Sequence, residues 1–335
     1  MKICHLLTGA LIAAALTALC SCSTEDAAAV ASSRMIGGAS TALVYQSCKA
    51  VSENEVEFIF SRPVTVKELT LDPQLSIESI ENGSTVRIKL AETQIPGKLI
   101  TADLVAEDEK RNSINVLVSF RARNNRMPEL IINELCTEYA SVTAGRKAEF
   151  VELKMKSAGN LGAMRLCIVG NSNASMNTVY EFPPVEVKKD DYVVLHLRTL
   201  DPESRDELSG NTAESKGLNS SPQARDFWIP GNTKLMHKTS VVYIVDQDDK
   251  TLSAVMICEK PDSPWPKDYF NEITGLLTSK GAWVEGPVSS AGTTNTRTIC
   301  RDETAANTKS SADWYITATS CATPGSANNP KRYVN

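Results

Sequence analysis

The sequence predicts an all-β protein of two sheet-built modules, and three observations predict it. Runs of four to eight residues in which apolar and polar side chains alternate recur along the chain, separated by Gly, Asn, Pro and Asp turn signals. Only one segment of the body carries helical spacing. The 335 residues exceed one average domain, and a polar, basic break divides them into unequal parts.

Composition narrows the class before any motif is considered. Hydrophobic residues make up 42% and charged residues 22%, as in ordinary globular proteins, and the one long apolar run is at the start. Nothing suggests a multi-span membrane protein. The net charge of −5 becomes −6 once residues 1–21 leave, since Lys2 is the only charge among them. An acidic body offers no basic stripe to neutralise phosphate, so nucleic acid is not an expected partner.

Met1 and Lys2 precede an apolar stretch from Ile3 to Leu19, the charged-then-apolar order of an export signal, too short for a stable span. It ends Leu19-Cys20-Ser21-Cys22. This resembles the lipobox of bacterial lipoproteins, with an aliphatic residue three positions before Cys22 and a small one just before it. Cys20 fits worse, because Thr17 would hold the aliphatic position. The resemblance implies a signal peptide over 1–21, acylation of Cys22 with palmitate or a similar chain, and a membrane partner reached through that anchor. Residues 22–39 are small and polar without periodicity, the pattern of a flexible tether. The expected location is the cell envelope, on the outer membrane, the outer face of the inner membrane or the cell surface.

Residues 40–124 carry the first set of strands. Glu55–Phe60 and Thr85–Leu90 alternate, and Ser113–Phe120 closes the segment. Period two puts one face in a core and one in water, and Glu81-Asn82-Gly83-Ser84, Ile95-Pro96-Gly97-Lys98 and Lys110-Arg111-Asn112 supply the turns. Strands so closely spaced suggest a β-sandwich. The stretch Val56–Val64, with Phe60-Ser61-Arg62-Pro63-Val64 at its end, resembles the signature of bacterial immunoglobulin-like domains. Arg121–Pro128 then breaks the periodicity, and its shortness predicts modules that sit close together.

Beyond the break, Leu130-Ile131-Ile132-Asn133-Glu134-Leu135, Glu149-Phe150-Val151-Glu152-Leu153 and Tyr192-Val193-Val194-Leu195 follow in order. A hairpin over Val241–Ile257, an Asp313-Trp314 strand and Thr323-Pro324-Gly325-Ser326-Ala327-Asn328 come after. These collinear motifs resemble the lamin-tail domain family across residues 127–329. The resemblance implies an immunoglobulin-like sandwich, so the fold expected is two such β-sandwiches in tandem, the second enlarged by a long loop and one short helix. The long loop is placed within 199–239, which is polar at its start and lacks periodicity. The helix is placed within 261–292, where Tyr269, Phe270, Ile273, Leu276 and Leu277 fall at helical spacing between Asp268 and Gly281.

Residues able to do chemistry are few. After the signal only His196 and His237 remain, and no Gly-x-Ser-x-Gly elbow, His-Glu-x-x-His helix or phosphate-cradling loop occurs. Distant Ser, His and Asp residues permit a triad, but no nucleophile motif supports one. Six cysteines after Cys22, namely Cys48, Cys136, Cys167, Cys258, Cys300 and Cys321, permit disulfides with 15 pairings, or buried thiols, and none has CxxC spacing. Asp246-Gln247-Asp248-Asp249-Lys250 lacks the glycine and glutamate of a calcium loop and is expected to be a hairpin turn.

Glu134, Glu149 and Glu152 lie in strand-like runs where an unpaired charge is costly. Glu149 and Glu152 have opposite parity, so only one is expected to face the core. Glu134 and Glu152 match the recurrent acidic positions of the resembled family, and are expected to cap backbone donors or to hold a divalent cation such as calcium; no other cofactor is indicated. Of Trp228, Trp265, Trp283 and Trp314, the last is expected inside. Phe227-Trp228 and Pro264-Trp265-Pro266 stand in irregular segments, which makes Trp228 and Trp265 candidate recognition aromatics.

The function expected is therefore that of a lipid-anchored envelope or surface protein, a non-catalytic binding, adhesion or structural module with an envelope or host protein or a glycan as partner. The alternative is an exported metal-dependent hydrolase of nuclease or phosphoesterase type, or an accessory module of one, because lamin-tail-like domains in bacteria accompany such enzymes.

Overall fold

The computed structural model describes residues 30–33, 42–140, 148–170 and 178–334. The expected signal over 1–21, Cys22 and most of the expected tether lie outside the described residues. The described residues are mostly β, as expected, with one α-helix among them. No described helix is long and apolar enough to cross a membrane.

The first part consists of β1 (Val30–Ser33), β2 (Tyr45–Ser52), β3 (Glu55–Asp72), β4 (Ile77–Glu81), β5 (Gly83–Leu90), β6 (Leu99–Asp108) and β7 (Ser113–Arg121). They form one sheet in the order β1-β7-β6-β3-β5-β4, with β2 also on β3. The long β3 belongs to two ladders. Its opening half pairs with β2 and β5, and from Val64 onward it pairs with β6. Pro63 stands at the change of partner, where a missing N–H interrupts a ladder most cheaply. Both halves bury the same kind of stripe, Val56, Phe58, Phe60, Val86 and Ile88 from one and Ile100, Leu104, Ile114 and Val116 from the other, in a single cluster. One correction concerns the tether: Val30–Ser33 within it is a strand, paired antiparallel to β7. The open edge of β7 supplies the main-chain partners that a flexible segment would lack.

The second part comprises β8 (Leu130–Cys136), β9 (Phe150–Met155), β10 (Gly159–Asn160), β11 (Arg165–Gly170), β12 (Thr178–Glu181), β13 (Glu186–Val187), β14 (Tyr192–His196) and β15 (Ala224–Trp228). It continues with β16 (Ser240–Val245), β17 (Thr251–Cys258), α1 (Asp268–Ser279), β18 (Val288–Ser289), β19 (Ile299–Arg301) and β20 (Trp314–Ile316). Two larger sheets result, β12-β11-β16-β17-β18 and β15-β14-β9-β8-β19-β20, with β10 and β13 pairing apart. Val151, Leu153, Val193, Leu195 and Phe227 of the six-stranded sheet share a core with Leu166, Ile168, Val242, Ile244 and Val255 of the five-stranded one. Phe270, Ile273 and Leu277 of α1 join that core, while Leu276 stays 41% exposed.

The segment 199–239 is not simply the surface loop its polarity suggested. It contains β15, which pairs in parallel with β14, and all five residues of that strand are buried. The polar stretch before it lies over the outer face of the six-stranded sheet, so that Glu207 and Ser215 are themselves buried. Polarity here marks a polar roof over a polar sheet face, which sequence periodicity does not distinguish from a solvated loop.

The two parts dock through the break between them. Arg123 and Lys49 both reach Asp248, at 2.6 and 3.0 Å, and hold its carboxyl down at about 2. Gln247 and the Asn124 main chain exchange two hydrogen bonds, and Asn124 Nδ2 donates to the carbonyls of Asn160 and Gly162. The Asp246–Lys250 turn is thus a hairpin turn, as expected, and also the docking point. Gly162 must lack a side chain, because a Cβ there would sit 2.7 Å from the Pro96 carbonyl of the first part.

Candidate functional site: a buried carboxylate clasp

The outer face of the six-stranded sheet gathers a cluster of buried polar groups. At its centre Glu134 of β8 stands directly opposite Glu152 of β9. The ladder has a bulge between Ile132 and Glu134, so Asn133 and Glu134 together face Glu152. Without that extra residue Glu134 would follow the parity of Leu130 and Ile132 into the apolar core, and bulges commonly re-aim a side chain in this way.

Both carboxyls are fully buried, and each oxygen has a donor from the protein. Glu134 Oε1 accepts the Thr298 hydroxyl, and its Oε2 accepts the Thr323 N–H at 3.1 Å and the Thr323 hydroxyl at 3.3 Å. Glu152 Oε1 accepts Asn133 Nδ2 at 2.8 Å, and its Oε2 accepts the Gly325 N–H at 2.7 Å. Beside them, Glu303 pairs with Lys154 and accepts the Asn328 N–H at 3.0 Å. Asn328 Nδ2 in turn bridges the carbonyls of Asn133 and Arg301, where β8 and β19 part. Gly325 takes φ +84, and a Cβ there would lie 2.4 Å from Ser221 Oγ, so only glycine fits the bend that brings its N–H to Glu152.

Residues separated by nearly the whole second part thus meet at one place: Asn133-Glu134, Glu152 and the Thr323–Asn328 tail. The two carboxyls clasp the tail's backbone. Burial raises the Glu134 pKa, and burial together with the facing Glu134 charge raises that of Glu152 well above the ordinary carboxyl range. The cation reading of Glu134 and Glu152 fares differently. The oxygens that a hard cation needs already accept N–H and O–H donors, and among the described residues no group of three or more His, Cys, Asp or Glu side chains could hold a metal ion.

Glu149 stands directly before β9. It too is fully buried, because both faces of β9 are covered, and Arg198 grips it through two bonds of 2.5 and 2.6 Å over the Tyr139 ring. Sequence inspection missed a third polar pair altogether. His196 at the end of β14 and Asp226 of β15 lie 2.8 Å apart, both fully buried. Asp226 also accepts the Ser221 N–H, and Glu207 accepts the main chain of Asp226 and Ser215. No sequence signal joins positions 196 and 226; only the parallel register of β14 and β15 does.

Trp228 is corrected as a recognition aromatic. It lies in β15 with 4% exposure, its ring stacked on His196 at 3.8 Å and its Nε1 donating to Ser215. Trp265 is half-buried and stacked on Phe270 at 5.6 Å, so one ring face belongs to the core. Trp314 is inside, as expected. Among the other cysteines, Cys258 and Cys300 are buried thiols in strands, and burial, followed by the carboxyl of Glu134, pushes the Cys300 thiol far up.

A protein of Treponema pallidum (strain Nichols), described as uncharacterized, is 30% identical over 191 residues, which are 53% of this chain and 46% of that one. The chain therefore spans about half the length of the curated relative it matches. The crystal structure of a DUF4876 family protein from Bacteroides thetaiotaomicron aligns with a TM-score of 0.34 at 12% identity, covering 75% of this chain and 90% of that one. The family model TP_1001_2nd, described as protein second domain, matches residues 128–316, more than half of the sequence. By that match the chain belongs to the TP_1001 second-domain family.

Proposed function

We propose that the chain is a lipid-anchored envelope protein whose two immunoglobulin-like sandwiches, over residues 40–124 and 127–329, form a non-catalytic binding and structural module, the second of them lamin-tail-like. The observation that carries the non-catalytic half is how the ionisable groups of the second part are spent. Glu134 and Glu152 hold the tail, Glu149 is gripped by Arg198, and the His196–Asp226 pair is sealed beneath Trp228. A general acid or base has to reach a substrate proton, and these groups are buried and engaged with neighbouring groups of the protein. The docking of the first part onto the Asp246–Lys250 turn favours a rigid pair of modules over two beads on a string.

The anchor rests on the export signal and on Cys22, and acylation supplies the membrane affinity that the acidic body lacks. Radiolabelled palmitate is expected to enter the wild-type chain and not Cys22→Ala. Label persisting in that variant refutes the anchor, and EDTA-sensitive turnover of generic phosphodiesters or phosphomonoesters refutes the non-catalytic assignment.

A further inference from the structure

Beside the clasp, a lysine and an amide share one carboxylate. On the outer face of the six-stranded sheet Lys154 stands opposite Ile131, and the bulge after Ile132 turns Asn133 onto the same face, diagonal to Lys154. Diagonal neighbours across an antiparallel pair lie about 7–8 Å apart, within reach of a long side chain. Glu303, in the turn after β19, closes the gap. Its Oε2 accepts Lys154 Nζ, while its Oε1 accepts Asn133 Nδ2 at 3.1 Å and the Asn328 N–H at 3.0 Å. The ammonium and the amide are thus held side by side.

Two further observations set the group apart from a surface ion pair. Asn133 is fully buried, and its Oδ1 has no hydrogen-bond partner among the described residues, whereas a buried amide kept for structure normally satisfies both ends. Lys154 and Glu303 retain only 15% and 17% side-chain exposure, and the Tyr192 ring lies 5.2 Å from Nζ, so little water competes at the amide carbon.

We propose that Lys154 and Asn133 join in an intramolecular isopeptide bond, which the chain forms by itself with Glu303 as proton carrier. Burial works to lower the Lys154 pKa, and the bonds to Glu303 and Tyr192 together raise it by more, so the reaction starts from the ammonium. Nζ passes one proton along its existing bond to Glu303 Oε2, and the lone pair so released attacks Cγ of Asn133. Glu303 returns that proton through Oε1 to Nδ2. The Nζ–Cγ bond forms, the Cγ–Nδ2 bond breaks, and a second proton from Nζ leaves with the departing nitrogen. One ammonium and one primary amide thereby become one secondary amide and one ammonium ion, with no other reactant. Attack of an amine on an amide is slow in solution, but groups held in contact reach effective concentrations of about 10⁵–10⁸ M, and a positioned proton carrier adds to this. The new amide keeps one N–H, enough for the bond that Glu152 Oε1 receives from Asn133. The inference depends neither on the lipid anchor nor on a ligand of the module.

The test is mass spectrometry of the full chain after folding, then denaturation, reduction and trypsin. Without the link, trypsin cuts after Lys154 and releases residues 127–146 and 148–154 as separate fragments. With it, the main species expected is 127–146 joined to 148–156, lighter than the sum of the two by about 17 Da, the mass of one ammonia. Lys154→Arg keeps a cation for Glu303 but offers no comparable nucleophile, and Glu303→Gln keeps the shape while removing the proton carrier. Both variants are expected to lose the joined species. An unchanged circular dichroism spectrum of Lys154→Arg separates loss of the chemistry from loss of the fold. Wild-type chain that yields only the separate fragments overturns the proposal, as does a joined species that persists in Lys154→Arg. Linkage at the wild-type level in Glu303→Gln overturns the part given to Glu303.

Discussion

The two parts of the molecule bury their sheets in opposite ways. In the first, β5 from Thr85 onward, β6 and β7 alternate between buried and more exposed positions, so each strand keeps one wet face. In the second, β8, β9, β14 and β15 are buried almost throughout, because the five-stranded sheet covers one face and the 199–222 segment and the C-terminal tail cover the other. The difference lies in what the second face contains. A face covered by polar segments can carry Glu134, Glu152, His196 and Asp226 if each finds a partner, whereas a face in water needs none. The first part is held by its core, and the second by a core plus a hydrogen-bonded lid.

The contrast can be broken most forcibly at Arg198. Arg198→Ala leaves Glu149 charged and buried with no cation, and removing one partner of such a pair costs about 3–5 kcal/mol. Hydrogen exchange is expected to show the second part destabilised by that order while the first keeps its protection. Equal loss in both would mean that the two do not differ as described.

The clasp is expected to respond to pH with an unusual sign. The folded pKa of Glu152 lies above its unfolded value, so the stability it contributes is fully present below the unfolded pKa, about 4.3, and is lost as pH rises through the folded value. Amide protection at Gly325 should therefore fall as pH rises from the ordinary carboxyl range through the folded Glu152 value, once intrinsic exchange is corrected for. Protection that is constant or rises over that range would contradict a raised Glu152. The smallest effect is expected on the wet side of the first part, where Asp103→Ala on β6 should shift its unfolding by no more than about 0.5 kcal/mol. A larger loss there would show that this face also carries a cover.

Legibility in the sequence follows the same division. Alternation in Glu55–Phe60, Thr85–Leu90 and Ser113–Phe120 sufficed for β3, β5 and β7, since one face meets water. Helical spacing between Asp268 and Gly281 located α1 for a similar reason. In the second part the strands were legible from their motifs, but their faces were not. Parity argued that only one of Glu149 and Glu152 could face the core, but it did not reveal that both are buried, because periodicity does not register a lid. The bulge at Asn133 leaves no mark in a single sequence, yet it aims Glu134 at Glu152. Trp228 looked exposed beside polar residues that turn out to be its cover. The Thr323–Asn328 tail was recognisable as a motif, while its role as the ligand of two carboxyls depends on contacts spanning 173 and 189 positions.

The most direct test of the clasp is residue-resolved amide exchange at Thr323 and Gly325 in the wild type, Glu134→Ala and Glu152→Ala, each with calcium and with EDTA. The account predicts protected amides in the wild type under both conditions, loss at Thr323 in the first variant, and loss at Gly325 in the second. Wild-type protection that appears only with calcium, or that survives both substitutions, would contradict it.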